Sequence, residues 1–470
     1  MQLFVNRSEE LGILEKEYRR KEAAMVVLYG RRRVGKTALL AEFLKGKPGL
    51  YFLATEESEE INRQNFRELV ADFLRDDLLR GTSLTRWEDV FLWLLRQKSP
   101  ERMVIALDEF QYLGKANKAF PSILQKIWDQ ILSKENVMLV LCGSLVSMMV
   151  SQTLSYDSPL YGRRTAQIRL APVPFRHYGK FFPQVGKTAR ELVELYAVTG
   201  GVPRYIQEFR DGGDIYAAIE EHVFRPSAFL FDEPRFLLQH EVGEVGGYFS
   251  ILRAIAAGNR KLSKIATVLR QKQTNLPRYL NVLQDLDLLE REIPITEAHP
   301  EKSKKGIYRI KDNFIAFWFS FVYPNLSYIE SGHAEIASEK LRRNFVDHHV
   351  GFVYEGCCRE LLWQMSAENK LPFRIGRAGR WWDNHGTEID VVALAPEENC
   401  LLAGECKFWK SPVGMNVLVE LQRKAQAVEW KKEDRKTVYA LFSIEGFTEE
   451  IKAYARRHGD VILMDGRSFV

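Results

Sequence analysis

At 470 residues the chain is too long for a single core, and 46% hydrophobic with 27% charged residues are globular proportions that exclude a disordered or fibrous chain. A net charge of +5 is mildly basic, which permits an anionic partner without demanding one. The five cysteines (Cys142, Cys357, Cys358, Cys400 and Cys406) lie in apolar stretches without paired ligand spacing, which argues against a zinc site and for a reducing cytoplasm.

The opening "MQLFVNRSEELG" lacks the apolar core of a signal peptide. The longest apolar run, "VMLVLCGSLVSMMV" at 137–150, is shorter than the roughly 20 residues that cross a bilayer. A cytoplasmic chain without a membrane segment is expected, with this run a buried strand entering a helix.

Residues 25–40, "MVVLYGRRRVGKTALL", carry the first chemistry: an apolar strand, a loop of the form GxxxxGK[ST], and a helix-forming segment. Glycines let backbone N–H groups turn toward phosphate oxygens, Lys36 reaches the β and γ phosphates, and Thr37 is a ligand for Mg2+. Gly30, Arg33, Gly35, Lys36, Thr37 and Ala38 form the expected nucleotide-binding loop. Such a loop needs a second strand ending in carboxylates, and "MVIALDE" at 103–109 supplies it. Asp108 is expected to hold the Mg2+ and Glu109 to act as general base for the attacking water.

The next apolar strand, 137–144, ends in Ser144, which either senses the γ-phosphate or merely closes the strand. In "PLYGRRTAQIRL" at 159–170, Arg163 and Arg164 act on the γ-phosphate, in cis or from a neighbouring subunit of a homo-oligomer, or else form a solvated basic turn.

In series, "FVNRSEEL", "GRRRVGKTALL", "LDEFQYL", "GSLVSMM", "LYGRRT" with "LAPVPF", and "TGGVPRYI" at 199–206 resemble the archaeal-type AAA ATPases related to the STAND group of P-loop NTPases. The resemblance covers about the first half of the chain. It implies an ATPase core over 1–175 and a helical lid over 176–240, with ATP and Mg2+ as cofactors and Arg204 a lid contact to nucleotide.

From about 241 the pattern shortens to "GYFSILRAIAAG", "KLSKIATVLR" and "TNLPRYLNVLQDLDLLERE", then a polar turn "HPEKSKKG" and the strand-like "IYRI". Three helices and a two-strand wing make a winged helix-turn-helix over 241–325. Its third helix would turn Asn275, Arg278, Tyr279 and Asn281 toward a DNA groove, with Lys302, Lys304 and Lys305 at the wing tip near phosphates. Such domains also serve as protein contacts, and that alternative stands beside DNA binding. The aromatic run "NFIAFWFSFVYPN" at 313–325 has the spacing of a core helix.

The last segment, 326–470, holds "TEIDVVALAPEENCLLAGECKFWK", two apolar strands that gather Glu388, Asp390, Glu405 and Lys407. A helix with Glu355 and Glu360 precedes them, and "LVELQRKAQAVEW" follows. This order, with "RWW…EIDVVA…GECK", resembles the restriction-endonuclease-like PD-(D/E)XK fold, specifically the DUF234-type domain fused to archaeal ATPases. The resemblance implies Asp390 and Glu405 as ligands for Mg2+ or Mn2+, Lys407 beside the reacting phosphate, and Glu355 as an extra carboxylate. Ile389 stands where the motif's name has proline.

The expected architecture is therefore an α/β multidomain chain: an AAA-like P-loop NTPase with a lid, a winged helix-turn-helix, and a restriction-endonuclease-like α/β domain. The expected activity is ATP hydrolysis gating metal-dependent DNA cleavage. The alternative is a nucleotide switch that binds DNA or a protein through an inactive nuclease fold.

Overall fold

Strands β1 (Ala24–Tyr29), β2 (Gly49–Leu53), β3 (Met103–Asp108), β4 (Val137–Gly143) and β5 (Ala166–Arg169) form a parallel sheet in the order β2-β3-β4-β1-β5. Every residue of β1, β3 and β4 is buried, as unbroken apolar runs such as "MVVLY" and "VMLVLCG" require when helices cover both faces of a sheet. The edge strands β2 and β5 are only partly buried, which matches their places at the two ends of the sheet. The computed structural model describes residues 4–96, 100–183, 186–210 and 213–469. It divides into two compact units, Met1–Pro172 with His240–Gly243, and Val173–Gln239 with Glu244–Val470.

The second unit begins with short helices, including Ala189–Thr199, whose Thr188 and Glu191 form a reciprocal N-terminal cap. Helices Val245–Ala256, Leu262–Leu269 and Pro277–Asp285 follow, and then β6 (Leu289–Glu292) and β7 (Ile307–Ile310) pair as an antiparallel hairpin. The aromatic run at 313–325 is helical and inward, with Phe314, Phe317, Trp318 and Phe319 buried, and the Trp318 indole N–H donates to Phe231 O at 2.6 Å.

A second five-stranded sheet ends the unit: β8 (Arg377–Trp382), β9 (Glu388–Ala395), β10 (Cys400–Lys407), β11 (Lys436–Ser443) and β12 (Val461–Asp465), ordered β12-β11-β10-β9-β8. Neighbours from β8 to β10 are antiparallel and those from β10 to β12 parallel. Helix Met415–Ala425 lays Val417, Leu418 and Leu421 on one face, over Ile389, Val392, Leu401 and Ala403. Ile389 and Val392 are three residues apart, yet both enter this cluster. A register shift between Gly379 and Trp381, where β9 carries one more residue than β8, is what makes that possible.

Candidate functional site

In the first unit the phosphate loop follows β1 directly, and a Cβ at Gly30 would lie 2.3 Å from Leu170 O, so only glycine fits there. Arg7, from the N-terminal "FVNRSEEL", is buried and donates to Val34 O and Ala171 O, each at 2.9 Å, tying the loop to the end of the sheet. Lys36 starts the helix Lys36–Leu44 and folds back to donate to Gly30 O (2.9 Å) and Arg31 O (3.0 Å). Burial draws its ammonium below the usual lysine range, against the pull of neighbouring acids including Asp108 and Glu109.

Asp108 closes β3 and is buried. Thr37 Oγ1 donates to its Oδ2 at 3.2 Å and the Tyr51 hydroxyl donates to the same oxygen at 2.6 Å, while the Glu109 N–H donates to Oδ1 at 2.9 Å. A hydroxyl and a carboxylate at this spacing are the oxygen pair a Mg2+ ion takes from a phosphate loop. Glu109 stands at φ +52, a left-handed position that costs a side-chain residue about 1–2 kcal/mol. Its Oε2 accepts from Ser144 Oγ (2.7 Å), the Ser144 N–H (3.3 Å) and Gln111 Nε2 (2.5 Å). Ser144 thus grips Glu109, a third role beside the two considered from sequence.

Glu241, in the stretch that belongs to this unit, accepts from the Val146 N–H, and burial pushes its carboxyl up to about 7 against Lys36, Arg32 and Arg31. Tyr51, Gln111 and Glu241 were not found by sequence reasoning, because each reaches the site from a separate element. Arg163 grips Asp129 through two bonds of 2.9 and 2.8 Å, and Arg164 lies 5.9 Å from the Tyr161 ring centre. In the second unit Arg204 is held by Glu208 at 2.5 Å and lies over the Phe229 ring.

A second constellation lies in the C-terminal sheet. The β9–β10 ladder stops at Val391 opposite Gly404, whereas β10 continues beside β11 to Lys407. Asp390, Glu405, Cys406 and Lys407 therefore sit where the two strands part. Asp390 Oδ2 accepts from the freed Cys406 N–H at 2.9 Å. Burial, then Glu355 and Glu405, raise the Asp390 carboxyl to about 7. Glu405 is buried, and its Oε1 accepts from Lys407 (2.8 Å) and Lys424 (3.0 Å), with Lys424 also 3.1 Å from Oε2. Burial works against the Lys407 charge, yet Glu405 and Asp390 raise its pKa.

The four hairpin charges do not form one open surface. Glu388 turns to Arg380 at 3.2 Å, and buried Arg380 also holds Glu355 at 3.3 Å and Glu292 at 3.7 Å. Glu360 instead accepts from the Phe175 N–H (3.2 Å) and the Arg176 N–H (2.9 Å). Lys424 was missed from sequence, although a lysine seven residues after Val417 on a helix face otherwise apolar was the available signal. Asp390 and Glu405 supply oxygens of the kind hard divalent cations take. Among the described residues, no group of three or more His, Cys, Asp or Glu forms a ready metal cage.

The DNA-contact candidates come from the helices and hairpin that precede the C-terminal sheet. Asn275 and Arg278 are exposed near the start of helix Pro277–Asp285, where Arg278 stacks 4.6 Å from the Tyr279 ring centre. Lys302 and Lys304 are exposed between β6 and β7, and Lys305 is bound to Glu297 at 2.8 Å.

Residues 4–209 match the family described as an ATPase domain predominantly from Archaea, and residues 318–428 match one described as archaeal and bacterial proteins of unknown function. An uncharacterized protein of Methanocaldococcus jannaschii is 35% identical over 476 residues, covering 99% of this chain and all of the relative (100%). The chain belongs to the archaeal ATPase family. A shorter uncharacterized ATP-binding protein of the same organism is 53% identical over 45 residues, which cover 10% of this archaeal ATPase and 76% of that protein. Among solved structures, the Walker-type ATPase of Pyrococcus abyssi is 22% identical with a TM-score of 0.49, covering 67% of this chain and 96% of its own. No helix among the described residues of this archaeal ATPase is long and apolar enough to cross a membrane.

Proposed function

We propose that this ATPase uses its nucleotide cycle to control hydrolysis of DNA phosphodiester bonds at the β9–β10 fork. The observation that carries the reading is the Asp390 carboxyl, raised to about 7 among Glu355 and Glu405 with Lys407 alongside. Glu355 is paired with Arg380 and Glu405 with Lys407 and Lys424, whereas Asp390 has no ion pair of its own among the described residues, and a divalent cation would offset its charge. The divalent ion would supply Lewis acidity and a water of lowered pKa. Asp390 and Glu405 would bind it, Lys407 would offset charge on the reacting phosphate, and Lys424 would steady Glu405. The parting strands and their flanking helices support assignment of this sheet to the PD-(D/E)XK class.

The segment 245–310 fits a winged helix that offers Asn275, Arg278, Lys302 and Lys304 to the duplex, with Lys305 engaged by Glu297. In the ATPase unit, Thr37 and Asp108 would hold Mg2+ and Glu109 would accept the proton of the attacking water. Arg163 is taken up by Asp129, which leaves Arg164 as the guanidinium for a neighbouring subunit's γ-phosphate. Incubating purified protein and plasmid DNA with Mg2+ or Mn2+, with and without ATP, tests the reading: metal-dependent nicking that changes with nucleotide supports it.

A second reading has its own observation. Both oxygens of Glu405 are engaged by Lys424, so the fork is closed by its own lysines. A chain that binds DNA or a protein and cuts nothing would keep such a pairing. Failure to cut linear, circular, single-stranded and branched DNA under all those conditions would favour it.

A further inference from the structure

Within the second unit, a recess of about 70 Å3 is lined by Arg260, Arg309, Asn313, Ser320 and Phe352, among others. Ala256, Ser320 and His348 also line a wider cleft of about 870 Å3 that bears Arg253, Tyr323 and Lys340. The volume of the wider part is that of a site for a small organic ligand. No Asp or Glu among the described residues lines either part, although 62 of the 470 residues are acidic.

The cations of this cleft are unequally matched. Arg309 has Glu292 at 3.5 Å and donates to Phe352 O at 3.0 Å. Lys340 donates to Asn325 Oδ1 at 3.0 Å. Arg260 has no carboxylate within ion-pair distance among the described residues; its guanidinium lies 5.1 Å from the Phe352 ring centre. Burial, then the like charges of Arg309 and Arg380, draws Arg260 below the usual arginine range. Arg309, Arg380, Arg359 and Arg260 all act on the single carboxylate of Glu292, which they hold ionised despite its burial. Glu355 is the other acid in this cluster, so four guanidinium groups meet two largely buried carboxylates, and Arg260 and Arg309 of the four line the recess.

We propose that this cleft binds the phosphomonoester of a nucleotide, with the phosphate between Arg260 and Arg309 and the rest of the ligand extending past Tyr323 toward Arg253 and Lys340. Two guanidinium groups, the Ser320 hydroxyl and the second N–H of the Asn313 amide, whose first donates to Tyr196 O at 3.3 Å, provide donors for a phosphate dianion. A single carboxylate would leave most of them unused. A duplex is too broad to enter a recess, whereas a free nucleotide or the phosphorylated end of a single strand enters it directly. None of these residues belongs to the phosphate loop or the β9–β10 fork, so the proposal stands whether or not the protein cleaves DNA.

The test is binding of a 5′-phosphorylated thymidine hexamer, labelled at its 3′ end, to full-length Lys36→Ala protein, in which the phosphate loop is disabled. The phosphorylated hexamer binds at least about tenfold tighter than the same hexamer without the phosphate. Arg260→Gln removes that preference, Arg260→Lys restores part of it, and exposed Arg253→Ala weakens it independently. AMP that displaces the hexamer at equal concentration identifies a free nucleotide as the ligand; AMP that needs a large excess identifies a strand end. Equal binding of the two hexamers, or a phosphate preference that survives Arg260→Gln in a protein that melts like its parent, overturns the proposal.

Discussion

Ser144 Oγ donates to Glu109 Oε2 at 2.7 Å, linking the ends of β4 and β3 through the side chain proposed to accept a proton from water. Glu109→Gln is expected to cut the ATP turnover number by about 100-fold or more while ATP still binds, because Lys36, Thr37 and Asp108 are untouched. Ser144→Ala removes one of the three bonds that orient the Glu109 carboxylate, leaving those from Gln111 and the residue 144 N–H, and should lower turnover by up to about tenfold with little change in KM. Single-turnover hydrolysis beside equilibrium nucleotide binding checks both. Loss of binding in Glu109→Gln would make that residue structural.

Glu241 places a partly ionised carboxyl close to Lys36, where ATP brings further negative charge. Glu241→Gln should therefore tighten ATP binding by roughly threefold to tenfold at pH 8, where the wild-type group is mostly ionised. Titration with a fluorescent ATP analogue measures it. Lys36→Ala should weaken ATP binding and abolish turnover.

Asp390→Ala and Lys407→Ala should each reduce metal-dependent DNA cleavage by about 100-fold or more. ATP hydrolysis should persist in both, since the phosphate loop belongs to a different compact unit. Lys424→Ala should give a smaller loss, because it frees one side of Glu405 without removing a proposed metal ligand. Cleavage that continues undiminished in the first two variants would mean that the fork is not the site.

His349 gives a stability prediction independent of function. It is buried, donates through Nε2 to Ala197 O at 2.7 Å, and burial lowers its pKa from 6.5 to about 4, with the Ala197 bond opposing and Arg309 assisting. Between pH 6.5 and 4 the unfolded chain binds more protons at this position than the folded one. Stability is thus lost as pH falls through that window, by about 2–3 kcal/mol from this group. His349→Gln, which cannot titrate, should flatten the decline, read as melting temperature against pH.

The phosphate loop was legible because its chemistry is local: Gly30, Lys36 and Thr37 lie within one turn and helix start, and Asp108 and Glu109 end one apolar strand. The strand order β2-β3-β4-β1-β5 was not, because it depends on which buried strand packs against which across long crossovers. Tyr51, Gln111 and Lys424 escaped for the same reason, each meeting its carboxylate only after a separate element had packed. In the C-terminal sheet, alternation identified Asp390, Glu405 and Lys407 as chemistry-bearing residues. It could not foresee the extra residue in β9, since a bulge leaves no mark in a two-residue period.

The strand parting at Gly404 also makes the protein its own indicator. The Cys406 amide is bonded to the Asp390 side chain instead of to a neighbouring strand, so its protection from solvent depends on what that carboxylate is doing. A cation that draws Asp390 away releases this amide to exchange, while amides such as that of Ala403, deeper in the ladder, keep their rates. One backbone proton, followed by deuterium uptake or by its nitrogen resonance, would therefore register occupancy of the fork without any substrate being turned over.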